Sequence, residues 1–311
     1  MTKPNVFIIG APKCGTTSLA NWLAEHPQVH FSTIKEPHFF NYDFGFRRPM
    51  SLAQYERLFA GATRKHRIVC EASTRYLYSR TAVPAVLAYV DAPRFIVMLR
   101  NPVNMAPSLH GQAIFSGDED ELDFERAWAL QERRLYGDCI PKRCRDPQLL
   151  QYGTLCKLGK QVERLYQRVP RERVHAIQLE NVQAAPREEW LRLMRFLNIE
   201  DDGRDIFPSA NSAKVRSMRL LKQGIDRINN IVRTAGVPYV RTGFSSYVTS
   251  RLQRPSTRPP LSGDMRHHLE EYFSDDLGLL KRLGIPNTTA TRQQAQSKRT
   301  LERSNQPSNV K

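Results

Sequence analysis

Residues 10–18 read GAPKCGTTS and put two glycines, a lysine and a run of hydroxyls between a short apolar run and a periodic helix. Strand, glycine-containing loop and helix in that order aim several backbone N–H groups, backed by the helix dipole, at an anion. Gly10 and Gly15 allow the tight path, and Thr16, Thr17 and Ser18 add hydroxyl donors. The plainer reading is an ordinary strand-to-helix turn with a threonine cap. Four residues separate Gly10 from Gly15, as in the phosphate loop G-x-x-x-x-G-K-[ST], yet Thr16 stands where the lysine belongs and Lys13 lies inside the turn. A nucleotide hydrolase also needs a carboxylate at a later strand end to hold magnesium. Here the apolar run RFIVML at 94–99 leads into Arg100. The pattern suits a site that grips an anion directly with cations, and it argues against an ATPase or kinase.

The elements that must position these residues are legible as short apolar runs. Residues 5–9, 67–71, 94–99 and 174–179 are strand-like. A helix is expected from Thr16 to Glu25, stopped by Pro27. A second follows Pro186, which suits a first helical position, with Glu188 and Glu189 complementing the dipole. Trp190, Leu193, Met194 and Leu197 recur there at helical spacing. Leu155, Leu158, Val162, Leu165 and Val169 predict one amphipathic helix between Leu149 and Val169, and a last helix is expected from Ser262 to about Leu283. Strands alternating with helices imply an α/β fold, a mainly parallel central sheet flanked by helices. The expected organisation is one domain over 1–286 and a disordered polar tail over 287–311.

The chain has 311 residues, 40% of them hydrophobic, which is enough for a sizeable core and excludes disorder as the main state. No stretch is long and apolar enough to span a membrane. The N-terminus reads as a strand entering a loop, not as a signal peptide. Five cysteines are too few and scattered for a disulfide framework, so a reducing, cytoplasmic setting is expected. Cys139 and Cys144 could pair, but free thiols are the expectation. The net charge is +16, and it is clustered: Lys214 to Arg258 holds ten basic residues against Asp226 alone. Such a field attracts phosphorylated or sulfated ligands, acidic polymers or an anionic membrane surface. The segment 214–260 reads as a basic lid or flank, with KVRSMR at 214–219 able to close over a ligand.

Three ordered blocks, FIIGAPKCGTTSLANWL at 7–23, KEPHFF at 35–40 and RFIVMLRNPVNMAPSLH at 94–110, together resemble the sulfotransferases that use 3′-phosphoadenosine 5′-phosphosulfate, especially their bacterial and carbohydrate-type branch. Weaker agreement runs through 173–197 and 261–283. The resemblance implies a P-loop-like three-layer fold and transfer of a sulfuryl group to a hydroxyl or amine, without metal. It places the 5′-phosphosulfate on Lys13, Cys14, Gly15, Thr16, Thr17 and Ser18, with Lys13 stabilising the leaving oxygen. Arg100 and Ser108 match the binders of the 3′-phosphate, where an arginine fork is apt. The glutamate of the second block, Glu36, is the implied general base. Its alternatives are a pairing with Lys35 or a rival base at His38; His110 is a third candidate more suited to packing. Phe39 and Phe40 read as core.

Two departures stand out. Pro107 precedes Ser108, where many relatives carry an aromatic residue, so the helix either starts or kinks there. Ala72 follows Glu71, where secretory-pathway carbohydrate enzymes often carry a lysine. The acceptor is expected to be a small molecule, lipid or saccharide, with peripheral contact to an anionic membrane possible in principle and no specific nucleic acid. A kinase and a non-enzymatic basic binding module are the competing classes.

Overall fold

The computed structural model describes residues 2–45, 49–209 and 260–285. The basic segment 214–258, its KVRSMR run and the tail 287–311 lie outside the described residues. Five strands form one sheet: β1 Val6–Gly10, β2 Val29–Phe31, β3 Ile68–Ala72, β4 Arg94–Leu99 and β5 Val174–Gln178. Their order is β2-β3-β1-β4-β5, and every pairing is parallel. Every residue of β1 and β3 is buried, which is why these strands read as continuous apolar runs without alternation. β2 escapes sequence reading because VHF is too short to show a period.

Among the described residues the helices are α1 Thr16–Ala24, α2 Leu52–Arg57, α3 Ala82–Tyr89, α4 Pro102–Ser116, α5 Phe124–Ala129, α6 Gln131–Leu135, α7 Tyr152–Cys156, α8 Leu158–Tyr166, α9 Leu179–Ala184, α10 Pro186–Leu197 and α11 Gly263–Arg282. Pro186 opens α10 as expected, and Ser262 caps α11 by accepting from Met265 N. The single amphipathic helix expected over 149–169 is instead a 3-10 turn, α7 and α8, broken at Lys157. The reason lies far along the chain. Asp276 of α11 accepts the Gly159 and Lys160 amides at 2.8 and 3.0 Å, capping a fresh helix start. A β-carbon on Gly159 would sit 2.5 Å from Asp276 O, so only glycine admits this approach.

Pro107 neither starts nor ends α4, which begins at Pro102 with Asn101 as its cap and runs through Pro107 to Ser116. Beyond α4 a buried ion pair ties the segment that follows this helix to α6 and α7. Arg134 donates to both oxygens of Glu119 at 2.7 and 2.9 Å, and the Tyr152 hydroxyl adds a third bond at 2.8 Å. Both ions are almost fully buried, and although burial pushes the Glu119 carboxyl up, these donors hold it below its ordinary range. Removing one partner strands the other charge. Arg134→Ala is therefore expected to lower stability by about 3–5 kcal/mol in urea unfolding. Adding Glu119→Ala should recover part of that loss.

Candidate active site

In a parallel sheet all strands end on the same edge, and ligands bind where neighbouring connections part. β1 is flanked by β3 and β4, so the loop after β1 emerges at that point. Its path is forced. A β-carbon on Gly10 would lie 2.8 Å from Leu77 Cβ, and one on Gly15 would lie 2.8 Å from Leu179 Cδ1. Gly15 also has φ 86°, a conformation glycine adopts without penalty, and Lys13 has φ 67°. Ala11 N donates to Met98 O at 2.7 Å, and Arg100 Nη1 donates to Lys13 O at 3.0 Å, so β4 holds the loop at both ends. Gly15 is the N-cap of α1 and supplies no side-chain cap. The first turn of that helix therefore opens directly onto the loop, with no side chain of the cap residue between them.

Thr16 is buried, while Lys13, Thr17 and Ser18 are half-buried. Lys13 Nζ bonds to Gln112 Oε1 of α4 at 3.3 Å. Ser108 stands four residues before Gln112 on the same helix and is buried. Cys14 turns inward: its thiol contacts Met105 Sδ at 3.8 Å, and burial pushes it far above the ordinary thiol range. Its amide bonds Ala11 O at 3.3 Å, closing the turn. Cys14 packs the loop and is no nucleophile.

The second block approaches the same edge from β2. Glu36 and His38 both have positive φ, 60° and 53°. Glu36 Oε1 accepts from Lys35 Nζ at 2.7 Å and from Thr74 Oγ1 at 3.3 Å, while His38 Nε2 lies 3.5 Å from Glu36 Oε2. Burial pushes the Glu36 carboxyl up, but bonds and charge from His38 and Lys35 outweigh it and hold the carboxyl well below its usual range. The two residues that sequence reading set as rivals, and the Lys35 pairing offered as the plain alternative, form one cluster.

Beneath this segment lies a layer that motif reading missed. His38 N donates to Ser73 Oγ at 3.0 Å, and the amides of Phe39 and Phe40 donate to Tyr76 Oη at 2.9 and 3.2 Å. Tyr76 and Tyr55 in turn donate to Glu71 Oε2 at 3.4 and 2.5 Å. Glu71 is fully buried at the end of β3, and burial lifts its carboxyl to about 7 against the bonds from Ser73, Tyr55 and Tyr76. Phe39 and Phe40 are core, as expected. His110 is also buried, bonded to Glu121 O at 2.8 Å and packed on Phe124 and Tyr152, away from any proton-transfer role. Glu180 is another omission: it follows β5 and accepts the Asn101 amide at 3.0 Å, fixing the chain just after Arg100. An acidic residue at a strand's carboxyl end was the available signal. Cys139 and Cys144 are free thiols.

The arrangement is that of an α/β protein with a P-loop-like sheet, whose first loop leads into α1 and carries Lys13 with Arg100 fastened to it. The sulfotransferase domain model matches residues 3–230, and the chain belongs to that family. It is 63% identical over 35 residues to human carbohydrate sulfotransferase 15, a match covering 11% of this chain and 6% of that protein. To mouse heparan sulfate glucosamine 3-O-sulfotransferase 3B1 it is 33% identical over 111 residues, 36% of this chain and 27% of the relative. These matches thus span less than a third of either relative's length. A sulfotransferase structure from Alicyclobacillus acidocaldarius superposes with a TM-score of 0.67 at 25% identity, covering 94% of this chain and all of that one.

The raised Glu71 carboxyl has a thermodynamic consequence. A folded state that holds a proton more tightly than the unfolded chain is favoured at low pH. The contribution is full below about pH 4.5 and is lost as pH rises through about 7. Wild type should therefore lose melting temperature relative to Glu71→Gln across that window, measured by calorimetry at fixed ionic strength. Parallel pH curves for the two proteins would contradict it.

Proposed function

We propose that the protein transfers a sulfuryl group from 3′-phosphoadenosine 5′-phosphosulfate to a hydroxyl of a saccharide acceptor. The observation that carries this reading is the clasp between Arg100 and the Lys13 carbonyl, set against the uncapped N-terminus of α1 and beside the Glu36–His38 cluster. The donor supplies an activated sulfonate and a good leaving group. Residues 13–18 hold its 5′-phosphosulfate, and Arg100 with Ser108 holds its 3′-phosphate. The acceptor oxygen forms a bond to sulfur as the bond from sulfur to the bridging oxygen breaks. Glu36 takes the hydroxyl proton; ionised throughout the neutral range, it is ready to accept one. His38 orients that carboxylate. Lys13 stabilises the charge that develops on the departing 3′-phosphoadenosine 5′-phosphate. Positive charge at the reacting group comes from side chains, so turnover should survive a chelator. The saccharide class is supported by the carbohydrate sulfotransferases to which the chain is similar.

Calorimetric titration with 3′-phosphoadenosine 5′-phosphate tests the donor site. Wild type should bind, and Arg100→Ala should bind about 2 kcal/mol more weakly, roughly 30-fold, for loss of a charge-assisted contact. A folded protein that does not bind this nucleotide overturns the reading. Glu36→Gln should keep nucleotide affinity while kcat falls by roughly 10²–10⁴. If His38→Gln abolishes turnover and Glu36→Gln does not, the base is His38.

A further inference from the structure

Arg75 sits immediately after Thr74, whose hydroxyl donates to Glu36. Among the described residues its Nη1 is shut off from solvent with no hydrogen-bond partner. A guanidinium so placed is costly unless an anion meets it. The carboxylates that influence it are Glu36 and Asp118, and both are engaged elsewhere. Glu36 is held by Lys35, Thr74 and His38. Asp118 is held by Arg145 through Nε at 2.8 Å and Nη2 at 2.6 Å. A β-carbon on Gly10 would lie 3.1 Å from Thr74 O, so the turn that carries Arg75 packs against the start of the phosphate loop. Burial, the dominant influence on Arg75, disfavours its charge.

We propose that Arg75 is a binding residue for an oxyanion at the reacting end of the site, a sulfonate or sulfate group that completes its unmatched hydrogen bonds. This deepens the sulfotransferase reading and rests on it. The oxyanion comes either from the donor's sulfonate or from an anionic group already on the acceptor. Its chemistry is the same in both cases: planar N–H donors facing tetrahedral oxygens.

The test compares wild type, Arg75→Gln and Arg75→Lys by melting temperature and by calorimetry with three probes. The probes are 3′-phosphoadenosine 5′-phosphate, the intact phosphosulfate, and a sulfated disaccharide added with the first nucleotide. Arg75→Gln should melt no lower than wild type, since it removes a cation whose buried Nη1 has no partner among the described residues. It should bind the sulfonate-free nucleotide as wild type does. Binding of the phosphosulfate should weaken roughly tenfold or more if the donor is the source; binding of the disaccharide should weaken if the acceptor is. Arg75→Lys should retain part of the affinity. Unchanged affinity for the phosphosulfate, with disaccharide binding unchanged or absent in both proteins, overturns the proposal. So does a melting temperature several degrees lower in Arg75→Gln that Arg75→Lys restores, because that marks an internal partner. Wild type failing to bind the sulfonate-free nucleotide would instead overturn the sulfotransferase reading and this one with it.

Discussion

The pairing of β1 with β4 is the constraint on which the rest of the site depends. Their register is regular to Ile8, opposite Ile96, and then shifts so that Gly10 faces Val97. The extra residue, Ile9, bends the strand end and turns the chain out of the sheet plane. β4 then fastens what emerges: Met98 O takes the Ala11 amide and Arg100 takes the Lys13 carbonyl. The start of the loop is thereby set by β4 itself, and Lys13 by Arg100, the residue that follows that strand. A rigid strand is a better mount for such a group than a loop, because its neighbours over-determine its place.

The charged groups near this edge have partners of different kinds. Two carboxylates near it are paired with cations, Glu36 with Lys35 and Asp118 with Arg145, while Glu180 accepts the Asn101 amide on one oxygen only. The cations meet weaker acceptors. Arg100 bonds a main-chain carbonyl and Lys13 an amide side chain. Neutral acceptors satisfy these N–H bonds without cancelling the charge of the side chain that donates them. On the proposed reading, cations held in this way give an anion charge stabilisation that needs no reorganisation when a leaving group departs.

The parts of this architecture visible in the sequence are those with a local cause. Buried apolar runs announced four strands, Pro186 and Ser262 announced helix starts, and the GAPKCGTTS turn announced the anion loop. What escaped was written at long range. The break at Lys157 comes from Asp276, more than a hundred residues away, and no helical period can report it. Glu71 reads as one acidic residue in an apolar run; its worth lies in Tyr55 and Tyr76, which only the folded sheet brings over it. Arg75 reads as an ordinary basic residue until the fold closes around its guanidinium. Glu36 and His38 were legible as chemistry, but their union as one hydrogen-bonded group depends on backbone torsions that residue type does not reveal.

Those torsions connect the buried layer to Glu36 and His38. Of the six non-glycine residues with positive φ among the described residues, Lys13, Glu36 and His38 all belong to the site. Each such residue costs free energy and persists only where its surroundings over-determine it. For Glu36 and His38 the restraint is specific: Ala72 O takes the Glu36 amide, Ser73 takes the His38 amide, and Tyr76 takes the next two. Tyr76 can accept two amides because its own proton goes to Glu71. Burying that carboxylate, which the fold raises toward neutrality, is unfavourable in isolation. It becomes intelligible as the anchor of a strained segment: Glu71 fixes Tyr76, and the amides that Tyr76 and Ser73 accept hold Glu36 and His38 in their left-handed turns.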